Sequence, residues 1–348
     1  MSENLAQFLA LAEPAPASEL LPAQSWLELN EFALHLPFVP RVLLECRLIE
    51  GAVSVDLSQG FTLEDFATLR RWLGLPLPST WLPVRSISEF WFSGRSGLSV
   101  SNLWLEHDLP VGRRVLDAPP GVFLQATGGK AEGHPALSLD TLAQLLAQAC
   151  PDQDYGGHLE CISRLMQLPP FGTGSSYVGV MLSRPKAPIR FQLRPVDRKQ
   201  ARDFMLHLKI GGVNELLDLA FGYFQIAVLC LDIDPAVSAR VGLELFPSKC
   251  SSEDAEIAFL ERLRALNLCC PVKLKEVQAW PGRFGPADGV MSWSDSLISR
   301  SLLLPEGQLD YVGRRINHYK LVYDPATGLE AKVYLAMEHS VAQMSERS

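Results

Sequence analysis

The residues of this chain best suited to holding a charged ligand recur at alternate positions. In NHYKLVYDPATGLEAKVYLAMEH, residues 317–339, His318 and Lys320 precede a turn, and Lys332 and Tyr334 follow it. Leu321, Tyr323, Val333 and Leu335 take the opposite parity. Side chains two apart on a strand share a face, so an ammonium and a phenol here can address one ligand through charge-assisted hydrogen bonds. The same parity in other strand-like runs collects Glu45 and Arg47; Trp104, Glu106 and Asp108; Arg190, Gln192 and Arg194; Asp232; and Arg240 and Glu244. A face of mixed sign is either a solvated sheet surface with cross-strand ion pairs or a recognition surface. An extended peptide offers both N–H and C=O groups and suits such a face. Trp104, Gln192 and Tyr334 favour recognition. Replacing Lys332 by alanine is expected to weaken binding and spare the fold, because Val333 and Leu335 carry the packing.

Five hairpin-like units would position these residues. They are 41–58, turning at Glu50-Gly51; 87–109, turning around Gly94 to Gly97; 175–195, turning at Arg184 to Pro188; 226–247, turning at Asp234-Pro235; and 317–337, turning at Asp324 to Gly328. Glycine and proline supply the turn geometry in each. Between them lie segments of helical character: 61–75, 138–150, 155–168, 197–210, 213–225, 251–268 and 272–280. Ser251 or Ser252 suits the cap of the sixth, with acids in its first turn and Arg262 and Arg264 later. The expectation is an α+β single domain over 1–348. An N-terminal helical segment, 1–36, precedes repeated hairpin and helix units over 41–337. Its antiparallel sheet of about ten strands is curved or closed into a barrel, with helical pairs outside.

Composition narrows the function classes. The formal charge is −8 and the isoelectric point near 5.5, which argues against a nucleic-acid partner. No apolar run approaches the ~18 residues of a membrane span, and the acidic start MSENLAQ makes a poor signal peptide. Seven cysteines without a CxxC spacing point to a reduced, cytoplasmic protein. The adjacent Cys269 and Cys270 read as helix-end packing before Pro271.

Familiar catalytic signatures do not occur. There is no GxSxG, no Walker loop, and no GxGxxG between a strand and a helix. FGTGSSY, residues 171–177, leads into a strand and reads as a turn. The seven histidines show no metal-ligand spacing, and His107 falls on the apolar face. No cofactor is expected. Two irregular stretches, 116–136 and 281–296, are the alternative places for a site.

Two resemblances follow from these features. The ββαα repetition, with a closing strand AKVYL, resembles the aromatic prenyltransferase barrel. That resemblance implies a diphosphate held by Lys and Tyr on alternate strand positions, as at Lys332 and Tyr334, with Arg190, Arg240 and Lys320 able to join them. The carboxylates Glu45, Glu106, Asp232 and Glu244 depart from such a site, which wants excess positive charge. The phrases LWLEHDLP, YVGVMLSRP, LDIDPAVSARVGLELFP and RRINHYKLVYDPATGLEAKVYL resemble bacterial peptide-binding proteins of ribosomal-peptide (crocagin-type) biosynthesis, over about residues 85–337. This implies an accessory protein without turnover of its own. Its partners would be a precursor peptide and a tailoring enzyme or homologous subunit. The face at Trp104, Glu106, Arg190, Gln192, Arg194, Arg240, Glu244, Lys320, Lys332 and Tyr334 would hold the peptide. The leading expectation is peptide binding, and the alternative is an aromatic or peptide prenyltransferase.

Overall fold

A computed structural model describes residues 4–12, 18–93, 102–109, 118–125, 138–168, 175–285, 293, 295–305 and 308–343. Helices α1 (Leu5–Leu9) and α2 (Ala23–Ala33) come first. A ββαα order then repeats: β1 (Arg41–Arg47), β2 (Val55–Thr62), α3 (Phe66–Leu73), α4 (Leu82–Phe92); β3 (Asn102–His107), β4 (Gly121–Gln125), α5 (Leu139–Ala149), α6 (Gly156–Leu165). It continues with β5 (Ser175–Val180), β6 (Ile189–Val196), α7 (Arg198–His207), α8 (Asn214–Phe221); β7 (Ala227–Asp234), β8 (Ala236–Leu245), α9 (Glu253–Ala265), α10 (Pro271–Ala279). The short β9 (Gly282–Phe284) and α11 (Asp295–Leu302) precede the long closing hairpin β10 (Gln308–Asp324) and β11 (Gly328–Gln343).

Each strand from β1 to β8 pairs with the next, β10 pairs with β8 and β11, and β11 returns to β1. Ten antiparallel strands thus close into a barrel, and β9 adds to the overhanging part of β10. Closure removes the sheet edges that would otherwise template aggregation. Outward-facing side chains such as Leu44, Leu57, Leu105, Phe191, Leu229, Leu243, Leu321 and Val333 pack with the helices in one continuous apolar layer.

Local sequence explains the joints. Gly51 and Gly328 take the left-handed conformation in their hairpin turns, at φ 72° and 83°. Ser138 caps α5 by accepting from the Thr141 N–H, and Asp197 and Gln200 form a capping box on α7. Cys270 opens α10, its thiol accepting from the Lys273 N–H, with Pro271 at the first helical position. Lys273 itself is buried and donates to the carbonyls of Arg47, Ile49 and Ala52 at 2.9, 2.9 and 2.7 Å. It ties α10 to the β1–β2 turn. All seven cysteines are unpaired. No helix among the described residues is long and apolar enough to cross a membrane.

The expected second hairpin is corrected. Residues 82–92 form helix α4 rather than a strand, and β3 pairs instead with β4, inside the stretch taken as a loop. Pro83 starts the helix, and Val84, Ile87 and Trp91 bury one helical face. The helix expected from residue 61 begins at Phe66, because β2 runs on to Thr62. Of the two irregular stretches, residues 116–117, 126–136, 286–292 and 294 lie outside the described residues, as do 94–101 and most of FGTGSSY.

Candidate functional site

Strand parity and barrel closure together turn the polar set into the wall of a lumen. Arg190 lies directly across from Asp232, Lys320 across from both Glu244 and Lys332, and Tyr334 across from Glu45. An irregularity between Ile316 and His318 resets the phase of β10 so that His318 and Lys320 point inward. Along the axis the lumen divides in two.

The floor is a network of ion pairs around a cavity of about 100 Å³. Lys332 Nζ lies 2.6 Å from Glu45 Oε1, and the Tyr334 hydroxyl donates to the other oxygen of Glu45. Glu244 accepts from Lys320 at 3.1 Å, Gln192 at 3.0 Å and the Cys230 thiol at 3.2 Å. Arg190 grips Asp232 through two bonds of 2.7 and 3.0 Å and reaches Glu106 at 3.5 Å. Arg184 spans Asp108, Asp232 and Glu106. Arg47 pairs with Asp56 and Glu330, and Arg240 with Glu330. Six cations (Arg47, Arg184, Arg190, Arg240, Lys320, Lys332) therefore face seven carboxylates (Glu45, Asp56, Glu106, Asp108, Asp232, Glu244, Glu330) among the described residues.

Burial and pairing set the proton affinities. Burial raises Glu45, but Lys332, Lys320 and the two hydrogen bonds more than reverse it, leaving the carboxyl well below its ordinary range. Burial likewise raises Asp232, and Arg190 brings it down to about 2. Glu244 ends below its ordinary value, burial being outweighed by Lys320. Glu106 and Asp56 go the other way. Desolvation pushes Glu106 up to about 7, because Arg190 is committed to Asp232 and offsets it only in part. Desolvation and the charge of Glu45 lift Asp56 to about 6. His318 is lowered to about 4 by burial, so it is neutral in the lumen.

Above this floor lies a chamber of about 470 Å³. Trp104, Phe123, Tyr177, Phe246, His318 and Tyr334 give its wall an aromatic lining, with Glu106, Gln192 and Glu244 toward the floor. His318 stacks on Tyr334 with ring centroids 4.0 Å apart, and Phe246 lies 5.2 Å from the His318 ring. Arg41, Lys249 and Arg315 line the same chamber. It is an aromatic pocket over a charged base, the composition of a small-molecule site.

Of the residues selected by parity, Trp104, Glu106, Gln192, Glu244 and Tyr334 line the chamber. Arg190, Arg240, Lys320 and Lys332 line the floor cavity. The side chain of Arg194 lies outside what is described. His107 is on the outer face against Phe32 and Trp81, with Gln59 as polar partner, as its parity implied. Sequence reasoning missed Asp56 and Ser58, whose alternation in VDLSQG was a usable signal. It missed Phe123 with β4, and Arg184, whose place in a turn gave none. No group of three potential metal ligands occurs among the described residues.

No family model matches the chain, and no curated protein matches it by sequence. Solved structures do match in shape. The apo form of the prenyltransferase PriB superposes with a TM-score of 0.54 at 13% identity, covering 96% of this chain and 94% of PriB. PriB with product diphosphate gives 0.50 at 14% identity and the same coverage. The fold is that of the prenyltransferase barrel. A 6-dimethylallyltryptophan synthase from Micromonospora olivasterospora reaches only 0.48 at 12% identity, over 93% of this chain and 86% of that one, and carries no weight here. At such identities the likeness is one of fold alone.

Proposed function

We propose that the lumen binds an aromatic small molecule and that the protein transfers a prenyl group to it from a prenyl diphosphate. The observation that carries this reading is the aromatic chamber set directly over a base containing Lys320, Lys332, Arg190 and Arg240. The fold likeness to a prenyltransferase supports it. In this reading the base receives the diphosphate as the C–O bond of the donor breaks. The faces of Tyr334, His318 and Trp104 shield the allylic cation. A carbon–carbon bond then forms to the acceptor ring, and the displaced ring proton passes to Glu106, whose proton affinity near neutrality suits a general base. Incoming negative charge would meet cations that are already paired. Proton uptake at Asp56 supplies part of the compensation, and Glu106 takes its proton only when the acceptor ring gives it up.

The test is incubation with dimethylallyl diphosphate and a panel of aromatic acceptors, followed by mass spectrometry and a diphosphate-release assay. A prenylated product with stoichiometric diphosphate is expected. Absence of both product and diphosphate binding would overturn the reading.

One observation favours a second reading. Each described floor cation contacts a carboxylate, and a balanced surface of that kind suits a peptide held without turnover. Calorimetric binding of a peptide, with no response to a prenyl diphosphate, is the outcome this reading expects.

A further inference from the structure

Two cross-strand pairs in the chamber place an aromatic residue opposite a glycine. Trp104 on β3 faces Gly60 on β2, and Phe123 on β4 faces Gly179 on β5. Each ring lies across the strand beside it, in space that a side chain would otherwise hold. A Cβ built on Gly60 would meet Trp104 Cη2 at 2.8 Å, and one built on Gly179 would meet Phe123 Cδ1 at 2.5 Å and Cζ at 2.9 Å. Both are well inside van der Waals contact. Phe123 is almost fully buried yet belongs to the lumen wall and not to the apolar layer under the helices.

The geometry has a direct consequence for the width of the chamber. A ring lying flat against its neighbouring strand leaves the axis of the barrel open. The same ring displaced from that strand would stand into the lumen. We propose that Phe123, seated on Gly179, is the specificity-determining residue for the breadth of the aromatic ligand, with Trp104 on Gly60 as the fixed wall adjoining it. This deepens the reading of the chamber as an aromatic acceptor site and rests on it. Phe123→Ala adds the volume of a phenyl ring to the chamber and admits broader ring systems. Gly179→Ala drives the ring inward and excludes them. The effect of Gly179→Ala disappears when Phe123 is already alanine, since nothing remains to be displaced.

The experiment is calorimetric titration of the full-length wild type, Phe123→Ala, Phe123→Leu, Gly179→Ala and the Phe123→Ala/Gly179→Ala double variant with phenol, indole and carbazole. Each variant is first checked for a cooperative thermal transition. Wild type is expected to bind phenol and indole and to bind carbazole at least tenfold more weakly than indole. Phe123→Ala should bind carbazole at least tenfold more tightly than wild type does, with Phe123→Leu in between. Gly179→Ala should lose at least tenfold in indole affinity and keep phenol, and the double variant should behave as Phe123→Ala. Wild type that binds all three equally, or a size preference unchanged in Phe123→Ala and Phe123→Leu, overturns the inference and leaves the aromatic site standing. Failure of wild type to bind any of the three overturns both. A Gly179→Ala variant that does not fold leaves the decision to the two Phe123 variants.

Discussion

Glu106→Gln is the most informative single change to the lumen. In the wild type, a carboxyl held among Trp104, Phe123 and Arg190 has its pKa raised from 4.5 to about 7 by desolvation. The unfolded chain ionises near 4.5, so the folded state binds the extra proton between the two values. The stabilising effect of that proton is fully present below pH 4.5 and is lost as pH rises through 7. Glutamine keeps the shape and carries no charge at any pH. It leaves Arg190 its two bonds to Asp232. At about 1.4 kcal/mol per pH unit, the gap between 4.5 and 7 sets a ceiling of roughly 3–4 kcal/mol. The partly solvated rim and side-chain relaxation reduce this to about 1–3 kcal/mol. Urea unfolding at pH 5 and pH 8 measures the effect, since groups other than residue 106 largely cancel between variant and wild type. The variant should be the more stable protein at pH 8 by that amount, and the gap should nearly close at pH 5. A wild type more stable than Glu106→Gln at pH 8 would refute the reasoning. It would show that the 3.5 Å contact with Arg190 outweighs desolvation.

Further outcomes follow from the same network. Lys332→Ala leaves buried Glu45 with the Tyr334 hydroxyl as its hydrogen-bond partner and Lys320 as its nearby cation, and should cost about 3–5 kcal/mol in chemical denaturation; this replaces the expectation that the substitution spares the fold. Lys273→Met removes three hydrogen bonds from an ammonium to buried carbonyls, and should lower stability by about 3 kcal/mol or more in the same assay. Inorganic pyrophosphate should bind more tightly at pH 6 than at pH 8, as Asp56 in the floor cavity takes up a proton, and calorimetry of Asp56→Asn should show a flatter pH profile. Thiol titration should recover all seven cysteines in denaturant. In the native protein at pH 8 it should leave Cys46, Cys230 and Cys269 unreactive, since burial pushes their thiols up.

The inward face was readable because its signal is local. Parity along HYKLVY and AKVYL separates lumen from core without knowledge of any partner strand, and four of the five hairpins expected from glycine or proline turns form. The fifth failed for a local reason as well. Ile87, Glu89 and Trp91 alternate over a few residues, and only the longer helical period started by Pro83 overrides that impression. β4 is five residues long, which is too short for alternation to stand out behind two prolines. What the chain could not display was pairing. Glu45 and Lys332 are 287 residues apart and meet only because the barrel closes. The recognition lysine suggested by sequence is for that reason a buried member of an ion pair. Phe123 entered no candidate list because its role depends on a glycine in another strand.

The closing hairpin also fixes the order in which the protein can become itself. Residues 308–343 supply the two strands that join β8 to β1. Until they leave the ribosome, β1 and β8 are bare edges, each with a row of unpaired backbone groups. Glu45 and Glu244 meanwhile await Lys332 and Lys320, which are made after them. A nascent chain ending before β10 therefore holds eight of the ten barrel strands without the pair that closes them. Such a molecule closes late, through contacts distant in sequence, and is exposed to aggregation until the closing hairpin emerges. Its dependence on holding chaperones should be concentrated in that interval, and loss of the closing hairpin should be felt as failure to accumulate long before it is felt as loss of binding.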